Sequence, residues 1–188
     1  MPKHASPTTL RKKSTAAAAL PKQQAVFETH DHTTCIRQAL MQAERRCDER
    51  AAQLTPLRRQ VLALVLNVHQ PLGAYDLLEQ LAQQTQKRVA PPTVYRALDF
   101  LVEMGLVHRI ASLNAYLACT RFDDHGETVF FICSQCRTTM EINSSDISSA
   151  ISNTAKKAHF IAERQTVEVL GICPQCQNAR ATKSGSNT

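Results

Sequence analysis

Two cysteine pairs of the form C-x-x-C constrain the fold of this chain more than any other feature. Cys133 and Cys136 close an apolar stretch that reads as a strand, and Cys173 and Cys176 lie near the C-terminus. A two-residue gap lets both sulfurs of a pair reach one ion, and two such pairs complete the tetrahedron of structural zinc. The intervening segment 137–172 is explained if a strand, a helix and a strand loop out and return the second pair to the first. The sequence therefore predicts a structural zinc site.

Disulfide bonds and redox chemistry are the alternatives for these cysteines. The chain has seven cysteines, an odd number, and its N-terminus lacks the apolar core of a signal peptide. Both facts favour the reducing cytoplasm over an oxidising compartment. The segment CPQC at 173–176 resembles a dithiol motif, so a thiol redox sensor or dithiol oxidoreductase stays open as a distant alternative. A thioredoxin-type pair opens a helix, which lowers the thiol pKa. No convincing helix is predicted after either pair, which favours zinc.

The sequence gives no support to an enzyme or a membrane protein. It has no apolar run of about 18 residues, so no membrane span is predicted. It shows no Ser-His-Asp set, no open three-ligand metal site and no Gly-rich phosphate loop. We therefore predict no catalysis, no small-molecule substrate and no membrane partner.

The net charge of +6 is concentrated in residues 1–28, which hold five basic residues and one acidic residue. The same segment is rich in Ala, Thr, Ser and Pro and has too little apolar content to fold, so we predict a disordered basic tail. Such a tail either adds non-specific attraction to nucleic acid or is a solvated leader without a role.

Four amphipathic helices are predicted in the N-terminal half, because apolar residues recur there at spacings of three and four. The first has Thr33 or Thr34 as its N-cap. The second begins after Thr55, with Pro56 in the first helical position. The third and fourth are read from GAYDLLEQLAQQT and APPTVYRALDFLVEMGL, and Gly105 ends the fourth. The apolar face of the first helix comprises Ile36, Leu40, Ala43, Cys47 and Ala51.

The apolar period then changes to two, and LVHRIASLNAYLAC is predicted to form two strands around a turn at Leu113-Asn114. Helices followed by a hairpin are the layout of a winged helix-turn-helix domain, here predicted over residues 29–119 with the wing at 107–119. Its fourth helix would enter the major groove of DNA. The residues that we expect to contact DNA are Tyr75, Thr93, Tyr95 and Arg96. The alternative for each is a surface residue of an ordinary helical domain.

A small α+β domain is predicted after a polar hinge at residues 120–126. It spans 127–179 in the order strand, strand, helix, strand, and a short tail at 180–188 follows. A domain of this size usually needs a metal or a partner subunit to be stable. The predicted fold class is α+β: a winged helix-turn-helix domain followed by a small C-terminal α+β domain that carries the four-cysteine zinc site, and the family resemblance described below implies that this second domain is the dimerisation domain.

A second set of metal ligands is predicted around the hinge. His108 opens the wing, Cys119 closes it, His125 lies in the hinge and Glu141 follows the first cysteine pair. A hairpin turn near Asn114 would bring the first two side by side. One sulfur, two imidazoles and one carboxylate suit Zn²⁺ better than Fe²⁺ or Mn²⁺. The alternatives are a partly buried polar histidine, a core cysteine and an outward-facing glutamate.

Over about residues 35–178 the sequence resembles the ferric uptake regulator family, and more closely its zinc uptake regulator branch. The motifs that carry the resemblance are LTPLRRQVL, AYDLLEQL, PPTVYRALDFLVEMGLVHRI, NAYLAC, FICSQC and GICPQC. The resemblance implies a homodimeric, zinc-responsive transcriptional repressor that binds operator DNA of zinc-uptake genes. It implies two zinc ions per subunit, and Tyr75 and Arg96 match positions that face DNA. The structural zinc would lie on Cys133, Cys136, Cys173 and Cys176. The regulatory zinc would lie on His108, Cys119, His125 and Glu141.

Two departures from the iron-sensing branch favour zinc over iron. That branch has a His-rich segment before its first cysteine pair and a His near the start of the third helix, where this chain has DDHGETVFF and GAYDLL. An iron- or manganese-responsive regulator with the same architecture remains the nearer alternative. A further metal site on His30, His32 and Cys35 is the alternative to a solvated polar segment.

Overall fold

The computed structural model describes residues 32–68, 70–119, 128–163 and 165–184, with the side chains of residues 32, 33 and 181–184 excepted. The predicted basic tail, the predicted hinge and its His125 lie outside the described residues, as does His30. Within the described ranges, no helix has the length and apolar character needed to cross a membrane.

The described elements form an α+β fold with two sheets, and the predicted fold class is confirmed. The N-terminal sheet has the strand order β1-β3-β2 and the C-terminal sheet the order β5-β4-β6. The elements are α1 (His32–Glu49), α2 (Pro56–Leu66), β1 (Leu72–Gly73), α3 (Ala74–Thr85), α4 (Pro91–Glu103), β2 (Val107–Ile110), β3 (Ala115–Ala118), β4 (Thr128–Cys133), β5 (Thr139–Asn143), α5 (Ser145–Lys157), β6 (Val167–Gly171) and α6 (Pro174–Ser184).

Helix α1 differs from its prediction at both ends. It begins at His32, so neither Thr33 nor Thr34 is its N-cap. It ends at Glu49, because Ala51 adopts a left-handed conformation (φ 50°) and the N–H of Ala52 donates back to the carbonyl of Cys47 at 2.8 Å. Ala51 is therefore exposed beyond the helix rather than part of its apolar face.

Helix ends elsewhere follow the predicted residues. Thr55 caps α2 and accepts a hydrogen bond from the Arg58 N–H, with Pro56 in the first position. Gly105, at φ 67°, ends α4, where the amide of Leu106 donates to the carbonyl of Leu101 at 2.9 Å. This Schellman arrangement turns the chain from α4 directly into the wing.

The helical core holds the helix-turn-helix in place. Side chains from α2, α3 and α4 meet in one buried cluster, and the wing covers it with Tyr116. Each fully buried leucine or valine of this kind contributes about 1.5–3 kcal/mol relative to exposure. The largest members are Leu62, Leu77, Leu81, Leu98, Leu101, Leu106, Val61, Val65 and Val94.

The wing is an antiparallel hairpin with one more strand than predicted. His108 of β2 lies opposite Leu117 of β3, and a 3₁₀ turn (Ala111–Leu113) connects the strands. Asn114 takes the left-handed conformation (φ 46°) that the turn requires. Strand β1 pairs with the outer edge of β3, and its two residues are too few to give a periodic signal in the sequence.

The C-terminal sheet has β4 at its centre, antiparallel to β5 and parallel to β6. Helix α5 makes the crossover and is capped by the Ser144 hydroxyl, which accepts from the Ile147 N–H. Helix α6 was not predicted: it begins directly after Cys173 and continues beyond residue 179 to Ser184. Its sequence has no apolar stripe, and Pro174 in the first position was the one available signal.

Candidate metal centres and nucleic-acid interface

The four paired cysteines converge at one end of the C-terminal sheet. Cys133 ends β4, and Cys136 lies in the turn that follows. Because β6 runs parallel to β4 and places Gly171 opposite Cys133, the chain returns Cys173 beside the first pair. The four Sγ atoms all lie within 4.8 Å of one another, with Cys176 supplied by the first turn of α6.

The electrostatics of this cluster fit a bound cation. The backbone N–H groups of Cys136 and Cys173 lower the pKa of the Cys133 thiol to about 6. Contact with the thiol of Cys173 instead raises the pKa of Cys176 to about 12. Four adjacent sulfurs cannot all ionise unless a cation balances their charge, and Zn²⁺ binds such a set as thiolates. The donor set therefore fits structural zinc.

Helix α6 changes the argument against redox chemistry. The prediction that no helix follows either pair is wrong, because α6 opens at Pro174 between Cys173 and Cys176. A dithiol mechanism needs only two sulfurs at a helix N-terminus, whereas both pairs meet here at a single point. The convergence of four sulfurs, rather than the lack of a helix, favours metal.

A second cluster joins the wing to the C-terminal sheet. His108 stands on β2, Cys119 follows β3 and Glu141 is on β5, and their ligand atoms lie within 4.8 Å of one another. The hairpin pairing brings the first two together, since the Cys119 N–H donates to Leu106 O at 3.0 Å. His125 lies outside the described residues, so its place as a fourth ligand stays a prediction.

The half-buried imidazole of this cluster, whose Nε2 atom is buried, fits a metal ligand. Its Nε2 atom is 3.2 Å from the carboxylate of Glu141 but is not aligned for a hydrogen bond to any described residue. Buried polar atoms are nearly always hydrogen-bonded, so a nitrogen directed at a thiol and a carboxylate without one is suited to an ion. Burial lowers the pKa of His108, but contact with Cys119 and Glu141 raises it more, to about 9.

The predicted DNA contacts are all exposed. Thr93, Tyr95 and Arg96 lie on the N-terminal half of α4, while the opposite face buries Val94 and packs against the core. Tyr75, in the first turn of α3, is 72% exposed. The four residues remain predicted DNA contacts. Contact with DNA requires an exposed side chain, and all four side chains meet this requirement.

Arg46, which the sequence reasoning missed, fixes the end of α4. Its Nε–H donates to the carbonyl of Met104 at 2.7 Å in a buried hydrogen bond. Its position three residues after Ala43 and beside Cys47, on the buried face of α1, was the available signal. An arginine on an apolar face indicates a specific acceptor inside the fold.

The comparisons with known proteins agree with this geometry. A model of the ferric uptake regulator family matches residues 49–170. The chain belongs to the ferric uptake regulator family. The zinc uptake regulation protein of Escherichia coli (strain K12) is 36% identical over 151 residues, which cover 80% of this chain and 88% of that protein. This relative supports the resemblance to the zinc branch of the ferric uptake regulator family.

Two solved structures share the fold. A zinc uptake regulator complexed with zinc and DNA is 36% identical, with a TM-score of 0.75, and the match covers 78% of this chain and 97% of that chain. The holo form of XcZur is 37% identical, with a TM-score of 0.68, over 79% of this chain and 99% of that chain.

Proposed function

We propose that this protein is a zinc-responsive transcriptional repressor that acts in the cytoplasm, as a homodimer, on operator DNA of zinc-uptake genes. The observation that carries the proposal is the cluster of His108, Cys119 and Glu141, because its ligands come from the wing and from the C-terminal sheet. The relatives named above are zinc uptake regulators, and one was solved with zinc and DNA. The role requires no catalysis.

The cluster of His108, Cys119 and Glu141 is connected directly along the chain to α4, the helix that is predicted to enter the major groove. Strand β2 follows α4 after only residues 104–106, and the Schellman turn at Gly105 makes that connection short and rigid. Holding His108 against Glu141 therefore holds α4 against the C-terminal sheet. Zinc, when bound, supplies coordinate bonds that join these side chains across the domain boundary.

This chain offers a surface for a partner subunit on the face of the C-terminal sheet that is turned away from the wing. Phe131 and Val169 lie opposite each other on β4 and β6, and they are 38% and 39% exposed. An apolar groove of about 590 Å³ lies along α5 and ends at Phe160, which is 68% exposed. Exposed apolar surface of this kind indicates a protein–protein interface. This supports the proposal that residues 127–179 form a dimerisation domain, which the four-cysteine zinc site stabilises.

In the dimer, two ordered wings hold two α4 helices at the spacing of successive major grooves, about 34–36 Å. Ordering of the hinge at 120–126 then raises DNA affinity without adding contacts to DNA. Coupling of this kind is typically ~1–3 kcal/mol per site, and linkage requires DNA to tighten metal binding by the same factor. The predicted contacts on α4 and Tyr75 would carry recognition.

Fluorescence anisotropy with a candidate zinc-uptake operator, across buffered free Zn²⁺, Fe²⁺ and Mn²⁺, tests the proposal. Binding at far lower free Zn²⁺ than either rival metal requires is the expected result. Binding driven by Fe²⁺ or Mn²⁺ would keep the dimer and the fold but reassign the regulatory metal. Binding that ignores all three metals would refute metal regulation.

A further inference from the structure

One cross-strand row of the C-terminal sheet faces the wing. Glu141 on β5 and Glu168 on β6 both lie directly opposite Phe130 on β4. Residues directly opposite one another in a sheet project to the same face. We call Glu141, Phe130 and Glu168 the wing-facing row.

The wing-facing row contacts the wing along the length of β2. At one end Glu141 meets His108. In the middle, Phe130 lies edge-on to the His108 ring, with centroids 5.1 Å apart, and packs with Ile110 in an apolar cluster. At the other end, Glu168 accepts hydrogen bonds from two successive backbone amides that begin the wing turn.

The contact made by Glu168 is bidentate. Its Oε1 atom accepts from the N–H of Ala111 at 2.7 Å, and its Oε2 atom accepts from the N–H of Ser112 at 2.9 Å. Burial raises the pKa of this carboxyl, but the hydrogen bonds from Ser112 and Ala111 outweigh it and the pKa falls below its ordinary value. Hydrogen bonds to a carboxylate are roughly twice as strong as neutral ones.

We propose that Glu168 is a positioning residue that latches the far end of the wing to the C-terminal sheet and, with the metal cluster at the near end, sets the orientation of α4. This inference rests on the proposed function. The metal cluster holds the wing only at the end that carries His108 and Cys119, and the non-directional apolar packing of Phe130 restricts rotation about that end only weakly. A second attachment about 10 Å further along an extended strand removes that rotation.

None of the three residues in the latch belongs to the metal cluster, so the latch forms without a direct bond to the ion. It lowers the conformational freedom that the wing must lose on metal binding. Part of the ordering is then already present in the free protein, and the affinity of the metal-binding state rises. Loss of the latch is therefore expected to weaken the metal response and DNA binding together.

Glu168→Gln tests the latch, because it keeps the shape of the side chain but removes its charge and sets an NH₂ group against a backbone donor. Asp146→Asn, which removes a charge from an exposed position in the first turn of α5, is the matched control. Glu168→Asp keeps the charge and shortens the reach, so it should restore part of the lost function.

Three measurements are required. Hydrogen exchange at the amides of Ala111 and Ser112 should accelerate in Glu168→Gln and stay unchanged in Asp146→Asn. Operator affinity at saturating Zn²⁺ should fall by roughly tenfold, with unchanged dimerisation and unchanged zinc on the four cysteines. The zinc midpoint should move to higher free Zn²⁺.

The outcomes separate the latch from the function that it serves. If the unmodified protein shows no zinc-dependent DNA binding, the proposed function fails, and the positioning role of Glu168 fails with it. If that protein responds but Glu168→Gln exchanges and binds as it does, the latch is refuted. Faster exchange with unchanged DNA affinity would make Glu168 a wing contact without a positioning role, which also overturns the inference.

Discussion

The side chain of Arg46 reaches from α1 to the carbonyl of Met104, the residue that caps α4. The 2.7 Å hydrogen bond is buried and spans 58 positions of the chain. It therefore ties the first helix of the domain to the end of the helix that carries the predicted DNA contacts.

Replacing Arg46 with Leu should lower the free energy of unfolding by about 1–3 kcal/mol, because the substitution leaves the carbonyl of Met104 buried without this donor. Urea denaturation of the zinc-loaded protein measures the change. Arg45→Leu, at the exposed neighbouring position, is the control and should stay within about 0.5 kcal/mol of the unmodified protein. Equal effects of the two substitutions would show that the hydrogen bond adds nothing.

Cys119→Ser should abolish zinc-dependent operator binding and leave a folded dimer. The substitution removes the one sulfur from the cluster that joins the wing to the sheet, so zinc content should fall from about two ions per subunit to about one. Metal analysis and anisotropy give the two readings. Cys35→Ser, at an exposed cysteine of α1, should leave zinc-dependent operator binding unchanged. A full zinc response in Cys119→Ser would remove the cysteine from the regulatory site.

Cys173→Ser should damage the C-terminal domain itself. Structural zinc contributes folding energy directly, and three remaining ligands hold the ion far less tightly. Size-exclusion chromatography should show loss of the dimer, and thermal unfolding of the domain should move to lower temperature. A stable dimer that retains its full zinc content would contradict the structural assignment of the four cysteines.

Zinc affinity at the regulatory cluster should fall as the pH falls. The pKa of His108 in the metal-free protein is about 9, and zinc binds the neutral imidazole. Below that pH, each decrease of one pH unit should therefore weaken zinc binding about tenfold, because zinc must displace one proton from the imidazole. Chelator competition from about pH 8.5 down to about pH 6.5 measures the slope. An affinity that does not change with pH would exclude His108 as a ligand.

The same raised pKa has a consequence for stability without metal. The charged imidazole stabilises the folded metal-free protein, and this contribution is complete below the ordinary pKa of 6.5 and lost as the pH rises through about 9. Metal-free protein should accordingly unfold more easily at the alkaline end of that window. His108→Gln should flatten the profile.

Arg96→Ala should distinguish the two ways in which this exposed side chain of α4 can meet DNA. Loss of a bidentate contact to guanine costs about 1–3 kcal/mol and relaxes specificity at one base pair, whereas loss of a phosphate contact weakens all sequences and lowers the salt slope by about one. Salt titrations against matched and mismatched operators separate the cases. An unchanged affinity would place Arg96 outside the interface.

How much of the fold and of the candidate sites could be predicted depends on how far apart in the sequence the interacting residues lie. The Cys133–Cys136 pair and its partner pair are local patterns, and the hairpin geometry that joins His108 to Cys119 follows from a turn at Asn114. These were predicted because short spacings determine them. Glu141 lies beside His108 and Cys119 because the strand after the first cysteine pair folds back along β4, and its role as a metal ligand stays a prediction.

The features that were missed have a weak local pattern or none. Glu168 binds backbone amides, and any residue except proline supplies those, so Ala111 and Ser112 carried no mark of the contact. Helix α6 has no apolar stripe, and its residues 177–180 are exposed, while β1 is two residues long. Arg46 was overlooked because its acceptor is a distant carbonyl.

Phe130 and Phe131 are neighbours in β4 that face opposite ways, the first buried under the wing and the second exposed on the proposed dimer face. One strand therefore separates the DNA-binding half of the molecule from the other subunit. Because strand residues alternate between faces, inserting or deleting one residue in β4 would exchange the two sets of side chains. Assembly and metal response would fail together, so the length of this strand is under a stricter constraint than its composition.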